Sequence, residues 1–410
     1  MNKNLDGLFL FPQQWVDDEA RRFAATARQW ADKEIISRRL DYQKEYDTLF
    51  TDKRKKLIYD IGFERLVLPE ENGGYGWNSP TSAPGILTVF TEIGRADAAI
   101  GFAAAVKYAA FAVIAMKPNI NEGLCGELAP LYSGDTLKNL SLILPSAGLS
   151  GVDTPLFYGR GIGASLKSSK DGYTLNGQGL RPLGSGSDAD LFAVVASDSN
   201  GKACLVFVPA DSKGIKKGAP IKTTGLNGLK NADVDFKAVR IPQSFVVTRK
   251  GALHELYCWL NLLLGGTSLG AAMNFFEILT DWSEARTIKG SSIMKENPLC
   301  ASVLATAAEE IACARLTAYS LAHIVACPED TGGAGVYTFA QMLGSRIQQS
   351  CLNALNKGME LMGSAGYARE WHVEKHWRDI KTIQSSLCGI GADVPVKMDI
   401  ARFFFDLREV

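Results

Sequence analysis

The chain has 410 residues, 46% of them hydrophobic and 21% charged, which suits a globular protein of two or three domains with large cores. Lys plus Arg and Asp plus Glu balance at 44 each, leaving no electrostatic footprint for nucleic acid or an anionic membrane surface. The eight cysteines are scattered without a Cys-x-x-Cys pair, several of them in apolar helical sequence, so free thiols in a reducing, cytoplasmic compartment are expected.

Residues 1–13 hold only a short apolar run and no small-residue cleavage site, so no signal peptide is expected. Residues 1–135 read as an N-terminal helical domain. Asp17, Asp18 and Glu19 place acid in the first turn of a helix whose Phe23, Ala27 and Trp30 recur at helical spacing. A second helix over about 47–61 should stop at Gly62, and Pro69 with Gly73, Gly74 and Gly76 forces a loop after it. Two more helices are expected between 79 and 115.

Residues 136–247 change texture. Short alternating or β-branched runs begin near 140, 163, 173, 191, 203 and 234, with turn residues at 170–172, 176–177 and 199–201. That spacing predicts an antiparallel barrel or sandwich. Residues 248–410 are helical again: 256–286 is apolar nearly all round, as for a buried bundle helix, and 299–327 and 337–362 are two further long helices. The most apolar stretch, 259–264, is too short to span a bilayer, so no membrane insertion is expected.

Residues 363–379 (GSAGYAREWHVEKHWRD) carry the strongest motif. Gly363, Gly366, Tyr367, Glu370, Val373, Glu374, Arg378 and Asp379 hold a spacing that resembles the Gly-Gly-x-Gly-Tyr … Arg-Asp signature of the acyl-CoA dehydrogenases. The loop 62–76 resembles that family's Pro-Glu-x-x-Gly-Gly-x-Gly loop, with Arg65 where glycine is common. Residues 172–178 resemble its Gly-Tyr-x-Leu-Asn-Gly hairpin, and 236–242 its exit strand. The resemblance covers almost the whole chain. It implies an α+β fold of helical domain, β-domain and C-terminal four-helix bundle. It also implies FAD, an acyl-CoA or acyl-thioester substrate, and assembly as a homo-oligomer or as a hetero-oligomer with a paralogous subunit.

By the same resemblance, the family's working residues are largely replaced. The catalytic glutamate position is Leu387, in Ser386-Leu387-Cys388-Gly389. Ile143 and Leu144 stand where a flavin-binding segment has Thr-Glu, and Leu183 stands where a hydroxyl approaches flavin N5. Of the remaining FAD positions, Arg286 is kept, Glu360 replaces a glutamine beside the diphosphate, and Gly363, Ser364 and Gly389 surround the turns. Arg286 also reads as a cation favourable at a helix C-terminus. On the substrate side, Asn227 and Trp259 replace arginines that hold CoA, Cys258 occupies a site where some members carry their base, and Leu387 would face the acyl group with its N–H free to polarise a carbonyl. Asp97 is the substitute carboxylate that the resemblance suggests, and it reads equally as a helix cap. Cys388 lacks a histidine neighbour in sequence and reads as a buried thiol rather than a nucleophile. His372 and His376 are four apart without a third ligand, so no metal is expected.

Three functions remain open at this point. The chain is a subunit that lacks the standard base and pairs with an intact paralogue, an active dehydrogenase with Asp97 as relocated base, or a flavin-free fold reused for non-redox acyl-thioester chemistry or binding.

Overall fold

The computed structural model describes residues 13–133, 137–146, 154–288 and 292–405. Helix α1 (Asp18–Glu34) starts where Asp17 accepts a hydrogen bond from the Ala20 N–H at 2.7 Å, and it buries Ala20, Ala24, Ala27, Trp30 and Ala31. After the short α2 (Arg39–Lys44), α3 (Tyr46–Ile61) ends on Gly62 in the left-handed region at φ 65°. A side chain there would be strained, which is why the helix stops as the sequence predicts. Helices α4 (Ala83–Ala96) and α5 (Ala98–Ala115) follow, and the short α6 (Glu122–Leu128) and α7 (Pro130–Ser133) lead to the sheet.

The middle of the chain forms β1 (Leu140–Ile143), the small hairpin β2 (Leu156–Phe157) and β3 (Arg160–Gly161), β4 (Ala164–Ser169), β5 (Gly172–Leu180), β6 (Leu191–Ser197), β7 (Ala203–Pro209), β8 (Ile215–Lys217), β9 (Val234–Ile241) and β10 (Val246–Val247). The main sheet runs β10-β7-β6-β4-β5-β9-β8, with β1 on β6. Two details depart from the sequence reading. The pairings β1–β6 and β4–β6 are parallel, so the sheet is mixed. Asn176-Gly177 makes no turn but lies inside β5 at a register shift, where Asn176 Oδ1 accepts the Ala238 N–H at 2.8 Å. The turn that closes β4 onto β5 is Lys170-Asp171, between the paired Ser169 and Gly172.

The bundle consists of α8 (Ala252–Ala285), α9 (Pro298–Ala326), α10 (Pro328–Met362), α11 (Val373–Cys388) and α12 (Ile390–Phe405). Helix α8 runs through the centre against α4, α5 and α10. Close approach is made possible by glycine. A Cβ on Gly94 would lie 2.1 Å from the Thr267 carbonyl oxygen, and one on Gly270 only 1.8 Å from that of Thr91. Helices α4, α5 and the other bundle helices bury nearly all of residues 256–279. Helices α5 and α8 are long and apolar enough to cross a membrane, but their most apolar windows are 100% and 94% buried in this fold, as core helices are.

Candidate functional site

A cleft of about 620 Å³ opens between the sheet and the bundle. Its size falls within the ordinary range for small-molecule sites. The strand β1 exit contributes Leu144, Pro145 and Ser146, and the β5 exit contributes Arg181 and Leu183. Helix α11 and its end contribute Lys381, Ser385, Ser386, Leu387 and Gly389, and Arg160, Tyr257 and Gln341 close the inner wall. Leu144, Leu183, Leu387 and Gly389, separated by up to 245 positions in sequence, thus meet at one place. No carboxylate lines the cleft among the described residues.

The inner wall is rigid. Arg160 on β3 is buried, with Nη1 and Nη2 at 3.1 and 3.2 Å from Asp399 Oδ2 on α12. Tyr337 donates to the same oxygen at 2.9 Å and receives the Gln341 amide N–H at 3.1 Å, while Asn261 donates to Gln341 Oε1 at 2.9 Å. Burial pushes the Asp399 carboxyl up from its ordinary range, and the Arg160 guanidinium opposes that shift. Phe157 stacks on Tyr257 with ring centroids 5.7 Å apart. The Arg160 guanidinium lies 6.0 Å from the Tyr257 ring centroid. Lys381 differs from both arginines of the cleft. It bonds Gln384 at 2.8 Å and pairs with no carboxylate among the described residues, whereas Arg181 is held by Asp233 at 2.8 Å.

The two segments that resemble flavin-binding segments pair with each other. The N–H and C=O of Leu183 exchange hydrogen bonds with Leu142 at 2.7 and 3.0 Å, and Ser146 exchanges its own pair with Gly161. Ile143 is buried in β1 opposite Val194 and is not part of the cleft wall. The first segment continues into 147–149, which lie outside the described residues. Arg286 is exposed beside Trp282, and Glu360 is exposed and paired with Lys357. Gly363, at φ 60°, and Ser364 are exposed as well. These four residues lie outside the cleft wall.

Asp97 also lies away from the wall. It caps α5, its Oδ1 accepting the Ala99 and Ile100 N–H groups at 2.8 and 3.1 Å. Its Oδ2 takes the Tyr42 hydroxyl at 2.9 Å and the Lys375 ammonium at 3.0 Å. Burial disfavours the Lys375 ammonium, but Asp379 and Asp97 override it and hold its pKa well above the ordinary lysine value. Both Asp97 oxygens are therefore committed to structure.

Trp259 is buried against Tyr108 rather than in the cleft, and Asn227 Oδ1 accepts from Arg378 Nη1 at 2.7 Å. Cys258 is buried, and burial raises its thiol pKa well above the ordinary range. The side chain of Cys388 lies outside the described residues. His376 bonds Asn274 at 3.0 Å and His372 bonds Gln43 at 3.2 Å. No group of metal-ligating residues occurs among the described ones. Sequence reasoning missed Arg160, Gln341 and Lys381. No local pattern marks them, because their meeting depends on the packing of the β2–β3 hairpin and α12 on the bundle.

The retained motif has a structural role here. Asp379 accepts the Leu226 N–H at 2.6 Å and the Lys375 ammonium at 2.6 Å. Arg378 pairs with Glu374 at 2.6 Å and donates to the Thr224 carbonyl at 2.7 Å. A Cβ on Gly225 would strike the Arg378 carbonyl oxygen at 2.2 Å. The motif thus clamps the loop before β9 onto α11.

Comparison with known proteins agrees with this architecture. The model of the acyl-CoA dehydrogenase N-terminal domain matches residues 17–117, and that of the C-terminal domain matches 261–386, together more than half of the chain. A probable acyl-CoA dehydrogenase of Bacillus subtilis is 24% identical over 361 residues, 85% of this chain and 88% of that protein. The solved butyryl-CoA dehydrogenase of Megasphaera elsdenii superposes with a TM-score of 0.74 at 17% identity, covering 95% of this chain and 98% of that one. A chain of the ChsE4-ChsE5 complex from Mycobacterium tuberculosis superposes with a TM-score of 0.76 at 18% identity, covering 96% and 99%. With both domain models matched and the fold shared along its length, the chain belongs to the acyl-CoA dehydrogenase family.

Proposed function

We propose that this chain is a subunit of an acyl-thioester dehydrogenase that lacks the usual base and works with an intact paralogue. The observation that carries this reading is Leu387 on the wall of a cleft lined by no carboxylate among the described residues. Removal of an α-proton needs a base within hydrogen-bond reach of it, and the nearest substitute from sequence, Asp97, is fully engaged by two backbone N–H groups, Tyr42 and Lys375.

Members of the family use FAD as hydride acceptor. The residues present do not reproduce its contacts: aliphatic Leu144 and Leu183 line the cleft, and Leu183 spends both backbone groups on Leu142. This cleft therefore lacks the contacts that would hold a flavin for hydride transfer. In this reading, FAD sits in the paralogue's intact site, and this chain contributes a cleft for the acyl thioester and part of the interface. Exposed Leu299 and Leu316 on α9, with Phe403, Phe404 and Phe405 at the end of α12, supply apolar surface for such a partner. The ChsE4-ChsE5 neighbour, itself a complex, supports pairing of this fold.

The test is to purify the chain alone and together with a paralogue, then record flavin absorbance and acyl-CoA oxidation. The expected result is a colourless, inactive chain alone and a flavin-bearing, active complex. Oxidation by the chain alone, abolished by Asp97→Asn with flavin still bound, would overturn the reading in favour of a relocated base.

A further inference from the structure

Among the described residues of the cleft wall, one buried polar side-chain atom is left without a hydrogen-bond partner. Tyr257 is only 5% exposed, and its hydroxyl has no hydrogen-bond partner among the described residues. Buried hydroxyls are almost always paired, so an orphan on the wall of a cleft calls for an explanation. Its neighbours do not supply one. The Arg160 guanidinium, beside the ring, has no acceptor, and Gln341 Oε1 already receives the Asn261 amide. The phenol is fixed by stacking on Phe157 and by an edge contact with Tyr337, so its position does not depend on a partner for the hydroxyl. What is missing is an acceptor, and no carboxylate of the described wall provides it.

We propose that Tyr257 is a ligand-binding residue of this cleft, donating its phenol to an sp2 oxygen in the acyl portion of a bound acyl thioester. The inference rests on the acyl-thioester reading above and adds the group that recognises the ligand. The oxygen is either the thioester carbonyl or a second oxygen further along the acyl chain. Both offer the same acceptor chemistry, and they are separable by choice of ligand.

The experiment is isothermal titration of the full chain and of Tyr257→Phe with butyryl-CoA, acetoacetyl-CoA and free CoA. Phenylalanine keeps the ring and its stacking and removes only the donor. The variant should bind the acyl ligand about tenfold more weakly, the loss of one hydrogen bond, and free CoA equally well. A loss for both acyl ligands assigns the thioester carbonyl, and a loss for acetoacetyl-CoA alone assigns the second oxygen. Equal binding of every acyl ligand by both proteins overturns this inference and leaves the acyl-thioester reading standing. A loss shared with free CoA overturns it too, by placing the contact outside the acyl group. Failure of the parent chain to bind any acyl-CoA overturns both readings. Without ligand, Tyr257→Phe should melt no lower than the parent, because the hydroxyl has no internal bond to lose. A clearly lower melting temperature would reveal a structural partner and overturn the assignment.

Discussion

Two side chains define the chemistry at the residue scale, Leu387 and Asp97. Introducing Leu387→Glu puts a carboxyl back on the cleft wall, yet its surroundings are Leu144, Leu183 and the spent backbone of the sheet exit. We expect no acyl-CoA oxidation from that variant alone in a dye-reduction assay, and activity from it would show that this chain itself holds a working flavin. Asp97→Asn tests the other side. It weakens a helix cap and removes one of the two charges facing the buried Lys375. A loss of about 2–4 kcal/mol in urea unfolding is expected, with acyl-CoA binding unchanged. Sequence alone placed Asp97 between cap and base. Its Tyr42 and Lys375 partners lie 55 and 278 positions away, so no local pattern could reveal them.

Elements of this fold are held by contacts that tolerate neither charge nor bulk. His372 and His376 on either side of the α11 start are buried, and burial lowers both pKa values, with Lys375 and Arg39 acting in the same direction and Asp97 opposing at His376. For His376 the value falls from 6.5 to about 3. The unfolded chain therefore takes up protons below pH 6.5 that the folded one refuses, so stability is full above that pH and falls as the solution is acidified toward 3. The slope is at most roughly 1.4 kcal/mol per pH unit for each histidine. Urea midpoints between pH 7 and 4.5 should fall in the parent and flatten in a His372→Gln/His376→Gln variant. Bulk is tested at the α4–α8 crossing, where Gly270→Ala drives a Cβ into the Thr91 carbonyl. A cost of about 3 kcal/mol or more is expected in the same assay. Both helices of this crossing were expected from sequence, α8 because 256–286 is apolar nearly all round. The parallel pairs β1–β6 and β4–β6 were not, because strand partners are chosen by tertiary packing rather than by the runs themselves.

For the molecule as a whole, the motif that made the family legible is the one that joins its parts. Glu374, Arg378 and Asp379 tie the sheet domain to the bundle, Asp379 through the Leu226 N–H and Arg378, itself paired with Glu374, through the Thr224 carbonyl. Fold was therefore readable from packing residues and the cleft only in part: Leu144, Leu183, Leu387 and Gly389 were marked by the resemblance, whereas Arg160, Tyr257 and Lys381 acquire meaning only when β3, α8 and α11 meet. The clamp itself gives the last prediction. Asp379 holds the Leu226 N–H, and Arg378 holds the Thr224 carbonyl and Asn227. Arg378→Ala removes the two longer-range bonds but leaves the Asp379 contact and the Lys375 charge pairing intact. It should lower global stability by only about 1–2 kcal/mol while loosening the 223–229 loop locally. Hydrogen exchange should then speed up at the loop amides and stay slow in β6 and α8. Uniformly faster exchange across the sheet and bundle would mean that the clamp supports the global fold rather than docking one loop.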